Sequence, residues 1–380
     1  MPKRKNNKKS TSKTTNTSTN GIPKIVIKGS LMLDKVLKEH EKTFRIIQNV
    51  ERTHQGLGRM ALFEVLSDIA SKCLLVVGSS GTGKSAIMHG LSRTVPRDVY
   101  RIDAVTVNGL RHLQKDLTDA NLTILVDDLS KGGSTYAQST TVVALAELVY
   151  TGHFVKSVSQ FKIEIYNFTG SAIINVQPGL LKKLMASEVW ETDIRDKTVR
   201  WYNLRYPINF SRVIPFYGVN YTYKDLKKIE FPKELQQTWL WQKVVENFMH
   251  QHSIMRANEH SIDYAKALAI LNDRDQVSWT DLLVLEWITR NLRLEPVLFE
   301  KTELEGTRRF DLNIIPLLGL CATFGEFHIA ELCTRFQVRL ARAYQIIRAY
   351  NDLVILREHD SIVIPSDQTK ELLRDIGEIA

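Results

Sequence analysis

The residues best suited to chemistry lie in "LLVVGSSGTGKSAIMHG", from Leu74 to Gly90. Within it Gly78-Ser79-Ser80-Gly81-Thr82-Gly83-Lys84-Ser85 has the spacing G-x-x-x-x-G-K-[ST]. An apolar run precedes the glycines and a helical pattern follows, which is the context in which this motif cradles phosphate. Glycines let backbone N–H groups turn inward, and a helix N-terminus adds partial positive charge. Lys84 can reach β- and γ-phosphates, and the Ser85 hydroxyl can ligate Mg²⁺. ATP and Mg²⁺ are the expected ligands.

Such a loop needs a carboxylate at a neighbouring strand end to hold the metal. "NLTILVDDLS" supplies two, Asp127 and Asp128, directly after the apolar run Leu122–Val126. Open parallel sheets bind ligands at the carboxyl ends of their strands. Asp127 is expected to hold the Mg²⁺ water shell and Asp128 to orient or deprotonate the attacking water. A third apolar run, "SAIINVQP", places Asn175 at a strand end, where its amide could position that water.

The surrounding pattern must position these groups. Residues 31–52 have helical periodicity, and a second helix, about 59–71, leads into a strand at 74–77. Strands are expected at 99–102, 122–126, 154–158, 161–168 and 171–176, with the glycine loop and its helix at 78–93 and helices at 107–117 and 140–150. The alternation predicts an α/β domain with a mostly parallel sheet. From about residue 233 the pattern becomes helical, at 235–250, 256–272 and 280–292. "EPVLFEKTELEGTRR" reads as a linker, and residues 312–365 read as three short helices and a β-ribbon.

A phosphate loop, an apolar strand ending in Asp-Asp, a strand ending in Asn and then an all-helical segment resemble an AAA+ ATPase over about residues 55–292. "ALAELVYTGHFVKSVSQFKIEIYNFTGSAIINVQP" is similar to the branch with a β-hairpin before the Asn strand, which includes minichromosome maintenance helicases and MoxR-type ATPases. The resemblance implies that Lys156, with Lys162 second, points into a central channel and touches DNA. "MRANEHSIDYAKALAILNDRDQVSWTDLLVLEW" resembles the lid helices of that branch and implies that Arg256 reaches the γ-phosphate from the lid. Such rings insert an arginine into the neighbour's site, and "DIRDKTVRWYNLRYP" offers Arg195 or Arg200. The family's Arg-Phe pair is absent there. Asp-Asp stands where many relatives have Asp-Glu, and the interval from Gly78 to Asp127 is too short for the helicases' second-helix insertion.

The last unit resembles a winged helix. In that fold the third helix enters the DNA major groove, and here it would present Arg339, Arg342, Gln345 and Arg348, with Arg357 and His359 on the wing. Arg and Gln are side chains that read base edges and grip phosphates. The fold class is therefore α/β, a P-loop AAA+ parallel sheet with a helical lid, a C-terminal winged helix and a disordered basic tail. The expected boundaries are tail 1–30, core 31–232, lid 233–295 and winged helix 308–370.

Charge agrees with a nucleic-acid partner. The formal charge is +9, yet residues 1–33 hold eight Lys or Arg and no acid, so the remainder carries only +1. A Lys/Asn/Ser/Thr tail cannot build a core and is drawn to phosphates without sequence preference. No apolar run is long enough to span a membrane and no secretory signal is evident, so a cytoplasmic or nucleoid-associated protein is expected. Cys73, Cys321 and Cys333 sit in apolar contexts and read as core residues rather than a disulfide or zinc site. The expected function is a DNA-associated ATPase acting as a homo-oligomeric ring, such as a hexamer, in replication initiation, helicase loading or helicase-like work of a mobile element. The alternatives are a MoxR-like protein-remodelling ATPase, with the winged helix docking protein, or an ATP-dependent recruitment switch such as a transposition regulator.

Overall fold

The computed structural model describes residues 30–103, 105–131, 133–158, 161–206, 213–298 and 311–379. The expected basic tail and most of the expected linker lie outside these residues.

In chain order the strands of the first part are β1 (Cys73–Val77), β2 (Asp98–Ile102), β3 (Leu122–Val126), β4 (Phe154–Val158), β5 (Phe161–Ile165), β6 (Ser171–Val176) and β7 (Thr198–Tyr202). Five of them form a parallel sheet in the order β2-β3-β6-β1-β7, while β4 and β5 form a separate antiparallel hairpin. This mixed α/β architecture is consistent with a P-loop ATPase fold. β1, β3, β6 and β7 are buried along their whole length, as a parallel sheet covered on both faces requires. Alternate residues serve opposite cores. Leu75 and Val77 face one, with Ile174 and Val176, whereas Leu74 and Val76 face the other, with Ile173 and Leu125.

The helices that cover the sheet are α1 (Ser30–Glu39), α2 (Glu41–Thr53), α3 (Gly58–Ile69), α4 (Lys84–Leu91), α5 (Val107–Leu117), α6 (Thr135–Thr151) and α7 (Pro178–Met185). Three further helices follow, α8 (Trp239–Met249), α9 (Ile254–Leu271) and α10 (Trp279–Thr289). They join α2, α3 and α4 in one core, while α5, α6 and the hairpin pack in the other. Ser134, Thr106 and Thr238 cap α6, α5 and α8 by accepting a backbone N–H, and Ser278 with Asp281 forms a capping box on α10.

The C-terminal unit comprises α11 (Ile314–Phe324), β8 (Phe327–His328), α12 (Ile329–Phe336), α13 (Leu340–Ala349), β9 (Val354–Arg357), β10 (Ile362–Pro365) and α14 (Asp367–Asp375). Its three strands form an antiparallel sheet in the order β8-β10-β9.

Several details depart from the sequence reading, among them a strand expected over 161–168 that ends at Ile165 and a helix expected over 140–150 that begins at Thr135. The single helix expected over 31–52 is divided at His40, which is buried against Thr280 and Asp281 of α10. The helix expected from 235 starts at Trp239, after a short tight turn over Lys233–Gln237. β7 and α14 were not expected as elements. Among the described residues no helix is long and apolar enough to cross a membrane.

Candidate nucleotide site

Parallel register places the chemistry on one edge. Val77 pairs with Val176, Val76 with Asn175, and Val126 with Ile174. The residues that follow these strands, Gly78, Asp127, Asp128 and Gln177, therefore emerge side by side. Ser80, Gly81, Thr82, Gly83, Lys84, Ser85, Asp127, Asp128, Asn175 and Gln177 line one cavity of about 460 Å³.

The glycine loop is shaped by its backbone. Gly81 and Gly83 have φ of +75° and +83°, the left-handed region that a Cβ disfavours. Gly78 lies against Asn203, where a Cβ would sit 3.0 Å from the Asn203 carbonyl oxygen. Thr82 Oγ1 donates to the Ser79 carbonyl at 2.8 Å. Lys84 Nζ folds back onto the carbonyls of Gly78 at 2.7 Å and Ser79 at 2.8 Å. Burial pulls the Lys84 ammonium down to about 8, against the opposing pull of Asp128 and Asp127.

The acidic side is held with equal care. Asp128 Oδ1 accepts from the Ser130 backbone N at 2.9 Å and from Ser130 Oγ at 2.6 Å, and Gln177 Nε2 donates to Ser130 Oγ at 3.0 Å. Asp127 Oδ2 lies 3.7 Å from Lys131 Nζ, while its Oδ1 is buried without a partner. Asn175 is buried, and its Oδ1 likewise has no partner. Two orphaned acceptors beside the Ser85 hydroxyl suit a divalent cation and its water shell, since buried acceptors otherwise lose their hydration without compensation. The donor set is all oxygen, as Mg²⁺ prefers. Ser130, Gln177 and Asn203 were missed from the sequence. Gln177 follows Asn175 by two and Ser130 follows Asp128 by two, so proximity to a strand end was the available signal.

The arginines do not join this cavity. Arg200 was a candidate for insertion into a neighbour's site, but its side chain is fully buried in β7. It forms two bonds with Glu295, Nε–Oε2 at 2.7 Å and Nη2–Oε1 at 3.1 Å, and donates to the carbonyls of Arg195, Thr198 and Gln251. It binds β7 to Gln251, after α8, and to Glu295, after α10, and so buried it cannot reach a second chain. Arg195 remains partly exposed just before β7, paired with Glu191 at 2.7 Å.

Arg256 was expected at the γ-phosphate of its own chain. It opens α9, pairs with Glu259 at 2.6 Å and lies over the Tyr150 ring at 4.4 Å. Tyr150 is in the last turn of α6, a helix that begins near Asp128 and runs about 25 Å away from it. Tyr150, Lys197 and Glu259 line a second cavity with Ser71, Lys72 and Cys73, at the start of β1. Arg256 thus lies at the amino edge of the sheet, opposite the glycine loop.

On the hairpin, Lys156 is exposed opposite Ile163, and Lys162 pairs with Glu164 at 2.6 Å, which raises the lysine above its ordinary value. In the C-terminal unit Arg339, Arg342, Gln345 and Arg348 are all exposed, with Arg342 Nη1 donating to Gln345 Oε1 at 2.9 Å. On the turn between β9 and β10, Arg357 is paired with Asp360 at 2.9 Å and Glu326 at 3.5 Å, and His359 lies 3.5 Å from Asp360. Cys73 and Cys321 are buried, which pushes both thiols up to about 12.

No family model and no curated protein matches the chain. Among solved structures, a protein named "putative ATPase" from Cytophaga hutchinsonii is 15% identical, with a TM-score of 0.35, over 68% of this chain and 88% of that one. The SCCmec type IV Cch active helicase is 12% identical, with a TM-score of 0.32, over 89% of this chain and 71% of that one. At these distances neither likeness bears on what this chain does.

Proposed function

We propose that the protein is an AAA+ ATPase that works as an oligomer on DNA. The observation that carries the reading is the meeting of Lys84, Ser85, Asp127, Asp128 and Asn175 in one cavity. Lys84 would hold the β- and γ-phosphates and Ser85 with Asp127 would hold Mg²⁺, which screens the phosphate charge. Asp128 would orient or deprotonate the attacking water, and Asn175 and Gln177 would fix its position. Phosphoryl transfer is catalysed mainly by positioning and electrostatic stabilisation, so these roles suffice for slow turnover.

Among the described residues no arginine lines the cavity, and Arg195 and Arg256 are at the other edge. We assign both to the neighbouring subunit's site. DNA contact is assigned to exposed Lys156 on the hairpin and to Arg339, Arg342, Gln345 and Arg348 on α13, with the C-terminal unit read as a winged helix. Protein docking by that unit is the competing reading, favoured by the pairing of Arg357 with Asp360 and Glu326.

The test is turnover of the full chain with and without single-stranded and duplex DNA. Wild type is expected to hydrolyse ATP faster with DNA, and Lys84→Ala to be inactive. Asp128→Ala should be inactive and Arg195→Ala reduced to slow turnover, yet a mixture should regain activity, because some interfaces then combine an intact Asp128 with an intact Arg195. Turnover that ignores DNA favours protein remodelling. Tight ATP binding with no turnover, even with DNA, favours a recruitment switch. Failure of the mixture would place the arginine elsewhere.

A further inference from the structure

Residues 203–206 leave the carboxyl end of β7 and pass between the glycine loop and the C-terminal unit. Asn203 is buried and faces the loop. Its backbone N–H donates to the Val77 carbonyl at 2.7 Å, and its Nδ2 donates to the Thr82 carbonyl at 3.0 Å. Its Oδ1 accepts from the Arg205 backbone N at 3.2 Å. One side chain thus ties the phosphate loop to the next turn of backbone.

Arg205 faces the other way, and Tyr206 touches both sides, its side chain hydrogen-bonded to Ser79 of the loop. Arg205 Nη1 donates to the Ala322 carbonyl at 2.7 Å, Nε donates to Glu378 Oε2 at 3.0 Å, and Nη2 bonds the Glu378 carbonyl. The Tyr206 backbone N donates to Thr323 Oγ1 at 3.0 Å, and the Arg335 guanidinium lies over the Tyr206 ring at 4.5 Å. α11 comes this close because position 319 is glycine. A Cβ there would sit 2.5 Å from the Leu204 carbonyl oxygen and 3.0 Å from the Tyr206 ring.

We propose that residues 203–206 form a strap through which docking of the C-terminal unit holds the phosphate loop in its binding shape, with Asn203 as the positioning residue. The proposal rests on the reading that the loop binds nucleotide. A loop fixed before the ligand arrives loses less freedom on binding, so affinity rises with docking. Linkage is reciprocal: nucleotide must then strengthen docking by the same factor. A ligand that pulls α11 away from Leu204 would loosen the nucleotide, which gives the C-terminal unit a route to the site without touching it.

The experiment uses the full chain and a fluorescent ADP analogue with Mg²⁺. Gly319→Ala pushes α11 and with it Tyr206 off the strap's seat, and Asn203→Ala removes the strap's bond to the Thr82 carbonyl. Each is expected to weaken binding by about fivefold or more, the lower end of measured couplings. The double variant should be little worse than either single, because both cut one connection. Nucleotide should slow hydrogen exchange in α11 of wild type and not of Asn203→Ala. Gln368→Ala, on the exposed side of α14, should match wild type.

If Gly319→Ala fails to fold, Arg205→Gln loosens the same clamp and carries the same expectation. A lower melting temperature with unchanged affinity, or additive losses in the double variant, overturns the strap while leaving the nucleotide site standing. Absence of nucleotide binding by wild type overturns both.

Discussion

Raising the pH from 7 to 9 is expected to weaken nucleotide binding about tenfold, and Lys84 is the cause. The side chain is buried among neutral acceptors, the Gly78 and Ser79 carbonyls and Thr82 Oγ1. Burial pulls its ammonium from 10.5 down to about 8. Phosphate binding needs the charged form, and apparent affinity scales with the fraction of molecules competent to bind. With a pKa of about 8, roughly nine in ten lysines are charged at pH 7 and one in ten at pH 9. The ratio of these fractions gives the tenfold loss. The sign for folding is opposite. Between about 8 and 10.5 the unfolded chain holds the proton that the folded chain has released, so the empty protein gains stability as pH rises. Titration of a fluorescent ADP analogue with Mg²⁺ at fixed ionic strength, every half unit of pH, measures the effect. Lys84→Arg is the control, because a guanidinium stays charged throughout this window. Its affinity should be lower, since the fork does not fit an ammonium's place, but flat with pH. A flat wild-type curve, or an arginine curve falling in parallel, would refute the assignment of the slope to Lys84.

Two further predictions concern buried charge. Arg200→Ala leaves Glu295 buried without its cation and should lower unfolding free energy by about 3–5 kcal/mol in a denaturant titration. A loss below about 1 kcal/mol would mean that the pair is not structural. Glu64 is fully buried in α3, neither oxygen has a partner, and burial holds its carboxyl well above the ordinary 4.5. The unfolded chain releases that proton above 4.5 and the folded chain keeps it, so stability falls as pH rises through this value. Glu64→Met should therefore stabilise at pH 7 by roughly 1–3 kcal/mol, with a smaller gain at pH 4, and an equal gain at both would contradict the burial of a proton-bearing carboxyl.

The phosphate loop and its carboxylates were legible because each is a local pattern attached to a strand end. Leu74–Val77, Leu122–Val126 and Ser171–Val176 are apolar runs, and a parallel sheet brings all their carboxyl ends to one edge whatever the strand order. β7 was not legible for the opposite reason. "TVRWY" breaks an apolar run with an arginine, and what makes that arginine tolerable is Glu295, 95 residues further along. The break at His40 is similar. The periodicity of 31–52 runs straight through it, and the histidine is buried only because Thr280 and Asp281 arrive from α10, where burial pulls its imidazole down to about 3. α14 is short and amphipathic, and its importance comes from Glu378 and its neighbours receiving Arg59 and Arg205.

The misplacement of Arg256 follows from the same limit and has a mechanistic consequence. Sequence position puts an arginine at the start of a lid helix, but only the packing of α9 on α3 and α8 decides which edge of the sheet that start faces. Here it faces the amino edge with Arg195, one strand length, about 16 Å, from the glycine loop. The carboxylates and the glycine loop therefore share one edge, and Arg195 and Arg256 lie at the other. A single chain cannot fold one edge onto the other without breaking the sheet. Two chains packed with the edges facing can join them. If Arg195 or Arg256 is the cation that meets the γ-phosphate, it must come from a second chain, and hydrolysis is then expected to rise more steeply than linearly with protein concentration until the oligomer is complete. Strictly linear dependence on protein from the lowest active concentration, with a monomeric mass throughout, would show that the site is completed within one chain.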